Sequence, residues 1–311
     1  GGLDDSSMLV GDSGAPAYSD PKKQKTAVVA ILGTPNAGKS VMLNYIAETK
    51  VSAESPKRHT TRREIRAVLT EGDTQLVVVD TPGIVSEAEQ RDYEATLTRS
   101  PWDALSGADA ALVVIDAAKR LYEAEHQMIN RLARQQVERP GFPPLYLALN
   151  KVDLVHPKHK LLDLSEHVNS KLECEMTHYT CGVSGDGMRD LICDLLAEAK
   201  PRPWLFPGEV RSDLTFAERV DEVVRERIFQ RFHEEIPYEV DQKVEEALEH
   251  EDGSVVIRHS VYVNTAGQKR IIRGKSGLKV KALEHDTSLE LTNVIGRPVT
   301  IIITVSVKPQ R

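Results

Sequence analysis

Cysteine is scarce in this 311-residue chain, aromatic side chains make up only 5% of it, and long apolar runs are missing. Cys174, Cys181 and Cys193 form no C-x-x-C pair and match no zinc-binding spacing, so neither a disulfide framework nor a structural zinc site is expected. The three thiols are read as free, buried or half-buried, and suited to a reducing compartment. No stretch of about 18 apolar residues exists, so no membrane-crossing helix is expected. The N-terminus has no apolar segment followed by a small-residue cleavage site, which leaves secretion unsupported. An overall basic charge is also lacking, since the net charge is −7. Its distribution is uneven. From Val255 onward ten Lys and Arg stand against three Asp and Glu, a local +7 that leaves −14 for the rest of the chain. A basic end on an acidic body suggests that one module touches nucleic acid and the other does not; an ordinary solvated surface is the plainer alternative.

What is present is a βα alternation. Residues 1–24, rich in Gly, Ser, Asp and Pro, read as a disordered tail. Residues 27–32, 111–115 and 145–149 are apolar runs suited to buried parallel strands. Residues 65–69 and 75–79, separated by Glu71-Gly72-Asp73, read as a hairpin. Helices are expected over 40–49, 121–136 and 188–199, the last stopped by Pro201 and Pro203. The rhythm implies a doubly wound, mostly parallel sheet with helices on both faces. After a Pro-rich hinge over 201–207 the pattern changes. A helix over 215–232, strands over 240–248 and 255–263, a short extended piece at 269–272, a helix over 278–292 and a last strand over 299–307 are expected.

Three short segments carry nucleotide chemistry. Gly33-Thr34-Pro35-Asn36-Ala37-Gly38-Lys39-Ser40 fits G-x-x-x-x-G-K-[ST] between a strand and a helix. Backbone N–H groups of such a loop, with the helix N-terminus behind them, cradle phosphates. Lys39 is expected on the β- and γ-phosphates and Ser40 on Mg²⁺. Asp80-Thr81-Pro82-Gly83 follows the second hairpin strand; Asp80 suits Mg²⁺, through a water, and the Gly83 N–H suits the γ-phosphate. Asn150-Lys151-Val152-Asp153 follows a further strand. The Asp153 carboxylate can accept from N1–H and the 2-amino group of guanine, donors that adenine lacks. Lys151 can lie along the base, and Asn150 can tie this loop to the first. Thr60-Thr61-Arg62 sits where a switch segment should lie, and Thr61 is the favoured Mg²⁺ ligand. Lys39, Thr61 and Gly83 are therefore the groups expected closest to hydrolysis.

Taken in order, these motifs resemble the Era family of GTPases, within the larger Era/TrmE/EngA group, over about residues 26–308. Ser55-Pro56-Lys57-Arg58-His59-Thr60-Thr61-Arg62 is similar to that family's switch segment, and Ile236-Pro237-Tyr238 to the stretch before its RNA-binding sheet. The resemblance implies three regions: the tail at 1–24, a P-loop GTPase domain at 25–205, and a linker with an α+β type II KH domain at 206–311. It also places Cys181-Gly182 where the family has Ser-Ala, with a backbone N–H there reading guanine O6; the loop is expected to be softer for the exchange. Many GTPases carry a water-orienting Gln after D-x-x-G, but Ile84 stands here, so slow intrinsic turnover is expected. Relatives with an apolar residue there imply a K⁺ ligated partly by an Asn at the position of Asn36. A turn residue tolerant of unusual dihedrals is the equal alternative for Asn36.

Gly274-Lys275-Ser276-Gly277 fits the G-x-x-G loop with which KH domains clamp a single strand, and Lys269, Arg270, Arg273, Lys279 and Lys281 supply charge around it. Nearby Ile271, Ile272, Leu278, Val280 and Leu283 are read mostly as core, and His259 and His285 as surface or packing residues. The expected activity is hydrolysis of GTP to GDP and phosphate. What the resemblance implies beyond it is binding to small-subunit rRNA and a role with the small ribosomal subunit and its assembly intermediates. An RNA-binding module with a merely structural nucleotide is the alternative. Ser100-Pro101-Trp102, Arg202-Pro203-Trp204 and the missing initiator Met point to the mitochondrial matrix, with the bacterial cytoplasm as the other candidate.

Overall fold

β-Branched and aliphatic runs pack into the central sheet of the first unit. The computed structural model describes residues 19–54, 64–80 and 102–308, and these form two units that meet in sequence between Asp213 and Leu214. The first unit contains β1 (Lys25–Leu32), β2 (Ile65–Glu71), β3 (Thr74–Asp80), β4 (Ala110–Asp116), β5 (Leu145–Asn150), β6 (Cys174–Thr180) and the two-residue β7 (Lys200–Pro201). Their order is β2-β3-β1-β4-β5-β6, with β7 paired to β1. β1, β3, β4, β5 and β6 are mutually parallel, whereas β2 runs antiparallel to β3. The parallel arrangement sends the segments after β1, β3, β5 and β6 out of one sheet edge, the carboxyl end, where open α/β sheets bind ligands. Described helices of this unit are α1 (Lys39–Ile46), α2 (Glu123–Glu138), α3 (His159–Asn169) and α4 (Met188–Ala197). Leu132 and Met128 of α2 and Leu161 and Val168 of α3 join Val113, Leu147 and Leu149 in one apolar cluster.

The second unit contains α5 (Phe216–Arg231), α6 (Ile236–Glu239), β8 (Asp241–Glu249), β9 (Val255–Val263), α7 (Ala266–Arg273), α8 (Leu278–Ile295) and β10 (Val299–Val307). The sheet order is β10-β9-β8, with β9 parallel to β10 and antiparallel to β8. Alternate residues of β9 and β10 face α5 and α8 and form the core. Both sheet edges are blunted. Along β10, the outward N–H groups of Val299, Ile301 and Ile303 donate to Thr292 Oγ1, Ser288 Oγ and Glu284 Oε1 at 2.8–3.0 Å. Four helical residues rise about 6 Å and two strand residues span nearly the same length, so the α8 side chains stay in step with β10. β8 is charged, and its register breaks between Val244 and Glu246.

Several expectations change. The stretch 269–272, expected to be extended, lies inside α7. Thr265 caps that helix: its Oγ1 accepts from Gln268 N, while Gln268 Oε1 accepts from Thr265 N. The unit thus runs α-α-β-β-α-α-β, with two helices between β9 and β10 rather than one. α1 ends at Ile46, three residues early, because Glu48 turns into positive φ and the N–H groups of Val51 and Ser52 go to the Asn44 side chain. α3 and β6 were not expected at all. Of the tail, residues 1–18 lie outside the described residues, but 19–24 are ordered, with Ser19 buried and donating to Asp73 Oδ1 at 2.5 Å. Cys174 is half-buried and Cys181 buried, whereas Cys193 is exposed on α4.

The Pro-rich segment is fastened to the first sheet. Trp204 N donates to Gln24 Oε1 at 3.0 Å and Trp204 Nε1 to Asp73 O at 3.0 Å. The fully buried Gln75 side chain accepts from Leu205 N and Phe206 N at 2.9 and 3.0 Å and donates to Phe206 O at 2.9 Å. Residues 211–213 then run antiparallel along the outer edge of β2. Val68 N donates to Arg211 O, Ala67 bridges Ser212, and Arg66 N donates to Asp213 Oδ1. Gln75→Leu keeps the volume but strips these backbone groups of their partners. It should lower stability by about 2 kcal/mol, read as a lower denaturant midpoint with an unchanged slope. An unaltered midpoint would mean that water serves the segment equally well.

Candidate functional site

The phosphate loop spans residues 33–38, between β1 and α1. Asn36 (φ 67°) and Gly38 (φ 103°) both have left-handed backbone, which turns successive N–H groups inward as an anion cradle needs. A Cβ on Gly38 would lie 2.0 Å from Asn150 Nδ2, and one on Gly33 would lie 2.6 Å from Val114 O. Lys39 is buried and donates from Nζ to Gly33 O at 2.8 Å and Thr34 O at 3.0 Å. Burial pulls its ammonium down to about 8, against the upward pull of the nearby Asp80 carboxylate. A desolvated cation of this kind gains most from an anionic partner. Asp80 is fully buried at the end of β3. With the Ser40 hydroxyl it offers hard oxygen donors of the sort Mg²⁺ takes, so these residues fit the metal.

Asn150, at the end of β5 and 2% exposed, joins three loops. Its Nδ2 donates to Ala37 O at 3.0 Å. Its Oδ1 accepts from Gly182 N at 3.1 Å and from Thr180 Oγ1 at 3.4 Å. Lys151, in left-handed backbone, donates from Nζ to Asn36 O and to Asp116 Oδ2, each at 2.7 Å. Val152 and Asp153 begin a single 3-10 turn, and Asp153 presents an exposed carboxylate. Gly182, in the Cys181-Gly182 pair where a backbone N–H is expected to read guanine O6, donates to Asn150 Oδ1 here. The loop expected to be soft is held. Cys181 N donates to Asp186 O at 2.9 Å, Gly185 N to Cys181 O at 2.8 Å, and Ser184 Oγ to Asp186 Oδ2 at 2.8 Å.

Thr61, Thr81, Pro82, Gly83 and Ile84 lie outside the described residues. Gly33 to Ser40, Asp80, Asn150 to Asp153, Cys181 and Gly182 all come to the carboxyl end of the sheet. Three residues that the motifs did not indicate help build the site. Asp116, at the end of β4, orients Lys151. Thr180 supports Asn150. Glu125 of α2 accepts from Thr34 Oγ1 at 2.6 Å while capping its own helix through Tyr122 N. The one signal for Asp116 is its place at the end of a buried strand; no local motif marks it.

The second candidate site is the loop between α7 and α8. Gly274 (φ 71°), Ser276 (φ 53°) and Gly277 (φ 78°) all have positive φ, a tight turn that two glycines make cheap. Lys275 and Ser276 are exposed, as are Arg270, Arg273, Lys279 and Lys281, whereas Lys269 is half-buried. Ile272, Val280 and Leu283 belong to the core; Ile271 and Leu278 are exposed, 46% and 65%, on either side of the loop. His259 is buried, with Nε2 at 2.9 Å from Asp221 Oδ1, and takes no part in this site.

Comparison with known proteins finds relatives of both units. A family model described as a 50S ribosome-binding GTPase matches residues 28–151, and one described as a KH domain matches residues 235–311. The GTPase Era of Afipia carboxidovorans is 34% identical over 280 residues, spanning 90% of this chain and 88% of that protein. A crystal structure of Era in complex with MgGDPNP and nucleotides 1506–1542 of 16S ribosomal RNA superposes with a TM-score of 0.80 at 28% identity, over 92% of this chain and 95% of that one. A single-substitution variant of Aquifex aeolicus Era bound to GDP·AlF4⁻ gives the same values.

The 2.0 Å approach of Asn150 to the place of a Gly38 Cβ yields a test. A methyl at Gly38 can be housed only by displacing the Asn150 carboxamide. Gly38→Ala and Asn150→Ala should each weaken guanine-nucleotide binding at least about tenfold, and the double variant should lose less than the sum of the two, because the clash goes with the carboxamide while the left-handed strain at Gly38 stays. Calorimetric titration with GDP measures all three; additive losses would refute the coupling.

Proposed function

Because the chain belongs to the Era family of GTPases, we propose that it is a GTP-driven switch that binds small-subunit rRNA through its KH domain and assists small ribosomal subunit assembly. The observation that carries the reading is the coexistence in one chain of a guanine site assembled around Asn150 and a basic G-x-x-G loop. In support, an Era structure with nucleotide and rRNA superposes over 92% of this chain.

In this reading the loop amides and the Lys39 ammonium bind the phosphates, and Asp153 selects guanine. Ser40, Asp80 and Thr61 hold Mg²⁺, whose charge offsets that of the phosphates. Lys39 then donates to oxygens that gain negative charge as the γ-phosphoryl leaves. The Gly274–Gly277 turn lets the RNA backbone approach closely, and Lys275 neutralises a phosphate. The two Pro-Trp segments, Ser100-Pro101-Trp102 and Arg202-Pro203-Trp204, support the mitochondrial matrix as the compartment.

Crosslinking in cells followed by sequencing of bound RNA tests substrate and compartment together. Mitochondrial small-subunit rRNA is expected, with crosslinks lost in the Lys275→Asp, Ser276→Asp double variant while nucleotide affinity holds. Recovery of large-subunit RNA would overturn the assembly role, and undiminished crosslinks in the variant would overturn the KH contact.

We also propose that a K⁺ beside Asn36 stands in for the missing Gln at Ile84. The left-handed Asn36 backbone serves the plain turn reading equally well, so kinetics decide. Turnover should be faster in KCl than in NaCl at equal ionic strength, and Asn36→Ala should remove the difference. Equal rates for the parent protein would dismiss the cation.

A further inference from the structure

The residues just before the switch segment are held by one side chain of the P-loop helix. Asn44 lies on α1, four residues beyond Ser40 and hence about one turn further along the helix. Its Oδ1 accepts from Val51 N at 2.8 Å and Ser52 N at 2.9 Å. Its Nδ2 donates to Ser52 O at 2.9 Å and Glu54 Oε1 at 2.7 Å. A carboxamide has two donors and two acceptor sites, so Asn44 spends its whole capacity on residues 51–54.

That grip places a second group. The Ser52 side chain is fully buried, and its hydroxyl donates to Ser40 Oγ at 3.0 Å. A serine hydroxyl has two lone pairs and one proton, and its rotor is otherwise free. With one lone pair of Ser40 taken by Ser52, the rotor is restricted, and the other lone pair is left for a cation. Partners that orient a metal ligand through a hydrogen bond contribute strongly to metal affinity.

We propose that Asn44 and Ser52 are positioning residues of the GTPase reaction, which hold the Mg²⁺-binding hydroxyl of Ser40 and residues 51–54, just before the switch segment, as one hydrogen-bonded unit. The inference rests on Ser40 being a Mg²⁺ ligand. Ser52 acts through Ser40, and Asn44 through Ser52. These bonds connect α1 near Ser40 to the chain leading into residues 55–63.

Release of a fluorescent GDP analogue from the full chain, followed across a Mg²⁺ titration, tests the proposal. Bound Mg²⁺ slows release, so the half-effective concentration reports metal affinity, and release in EDTA reports the phosphate cradle alone. For Ser52→Ala the half-effective Mg²⁺ concentration should rise about tenfold, with release in EDTA unchanged. Asn44→Ala should move it the same way; if that variant does not fold, Ser52→Ala carries the test. Ser40→Ala is the reference and should remove the Mg²⁺ effect. A parental midpoint in Ser52→Ala beside a lost effect in Ser40→Ala would overturn the positioning role. A retained effect in Ser40→Ala would instead overturn the metal assignment beneath it. Faster release in EDTA for Ser52→Ala would show a general loosening of the loop and would also overturn the proposal.

Discussion

The Asn150 carboxamide is the constraint around which the nucleotide site is arranged. It stands where β5 ends and reaches Ala37 in the phosphate loop, Gly182 in the last loop and Thr180 beside it. Each such bond adds about 1 kcal/mol net, but leaving any of these buried groups unpaired costs more. The reach also dictates residue size nearby. Gly38 must lack a side chain because Nδ2 lies 2.0 Å from the place of its Cβ. Lys151, the next residue, repeats the link from the other side by bonding Asn36 O and Asp116. Base recognition and phosphate binding are thus parts of one hydrogen-bonded body, although their motifs lie far apart in the chain.

The same device recurs where irregular chain meets regular structure. Asn44 fastens residues 51–54 to α1, Gln75 fastens residues 205 and 206 to β3, and Gln268 caps α7. An amide side chain carries donors and acceptors at once, so it can replace a missing backbone ladder on a segment that follows no repeat. Residues 51–54 and 205–206 are therefore held firmly without becoming strands.

Contiguity in sequence decided what could be read from it. The G-x-x-x-x-G-K-S loop, the Asn150–Asp153 run and the strands behind them were legible because each motif is local and each parallel strand is buried on both faces. Asp116, Thr180 and Glu125 were not, since each acquires its role from a partner far along the chain, and Ser52 was not because no local motif ties it to Ser40. β6 was missed because it is an edge strand, with Glu175, Met176 and Tyr179 exposed, and so lacks the unbroken apolar run that marks its neighbours. α7 was read as extended because Ile271 and Ile272 favour strands, although Thr265-Ala266-Gly267-Gln268 carried a helix-start signal. Tertiary packing of Ile272 against the second core overrode the local preference.

The side chains of Glu284, Ser288 and Thr292 that occupy the outer N–H groups of β10 bear on what the second unit can recruit. A bare sheet rim is a template: any extended polypeptide, a second copy included, can zip onto it through alternating amides and carbonyls. Here the template is filled from within by an adjacent helix, and the opposite rim is interrupted and charged. Growth of the sheet by donor-strand addition or runaway stacking is thereby closed off. A polynucleotide needs no amide ladder, because its phosphates and bases are met by turns and side chains, so the rule that turns away peptides leaves it free to bind.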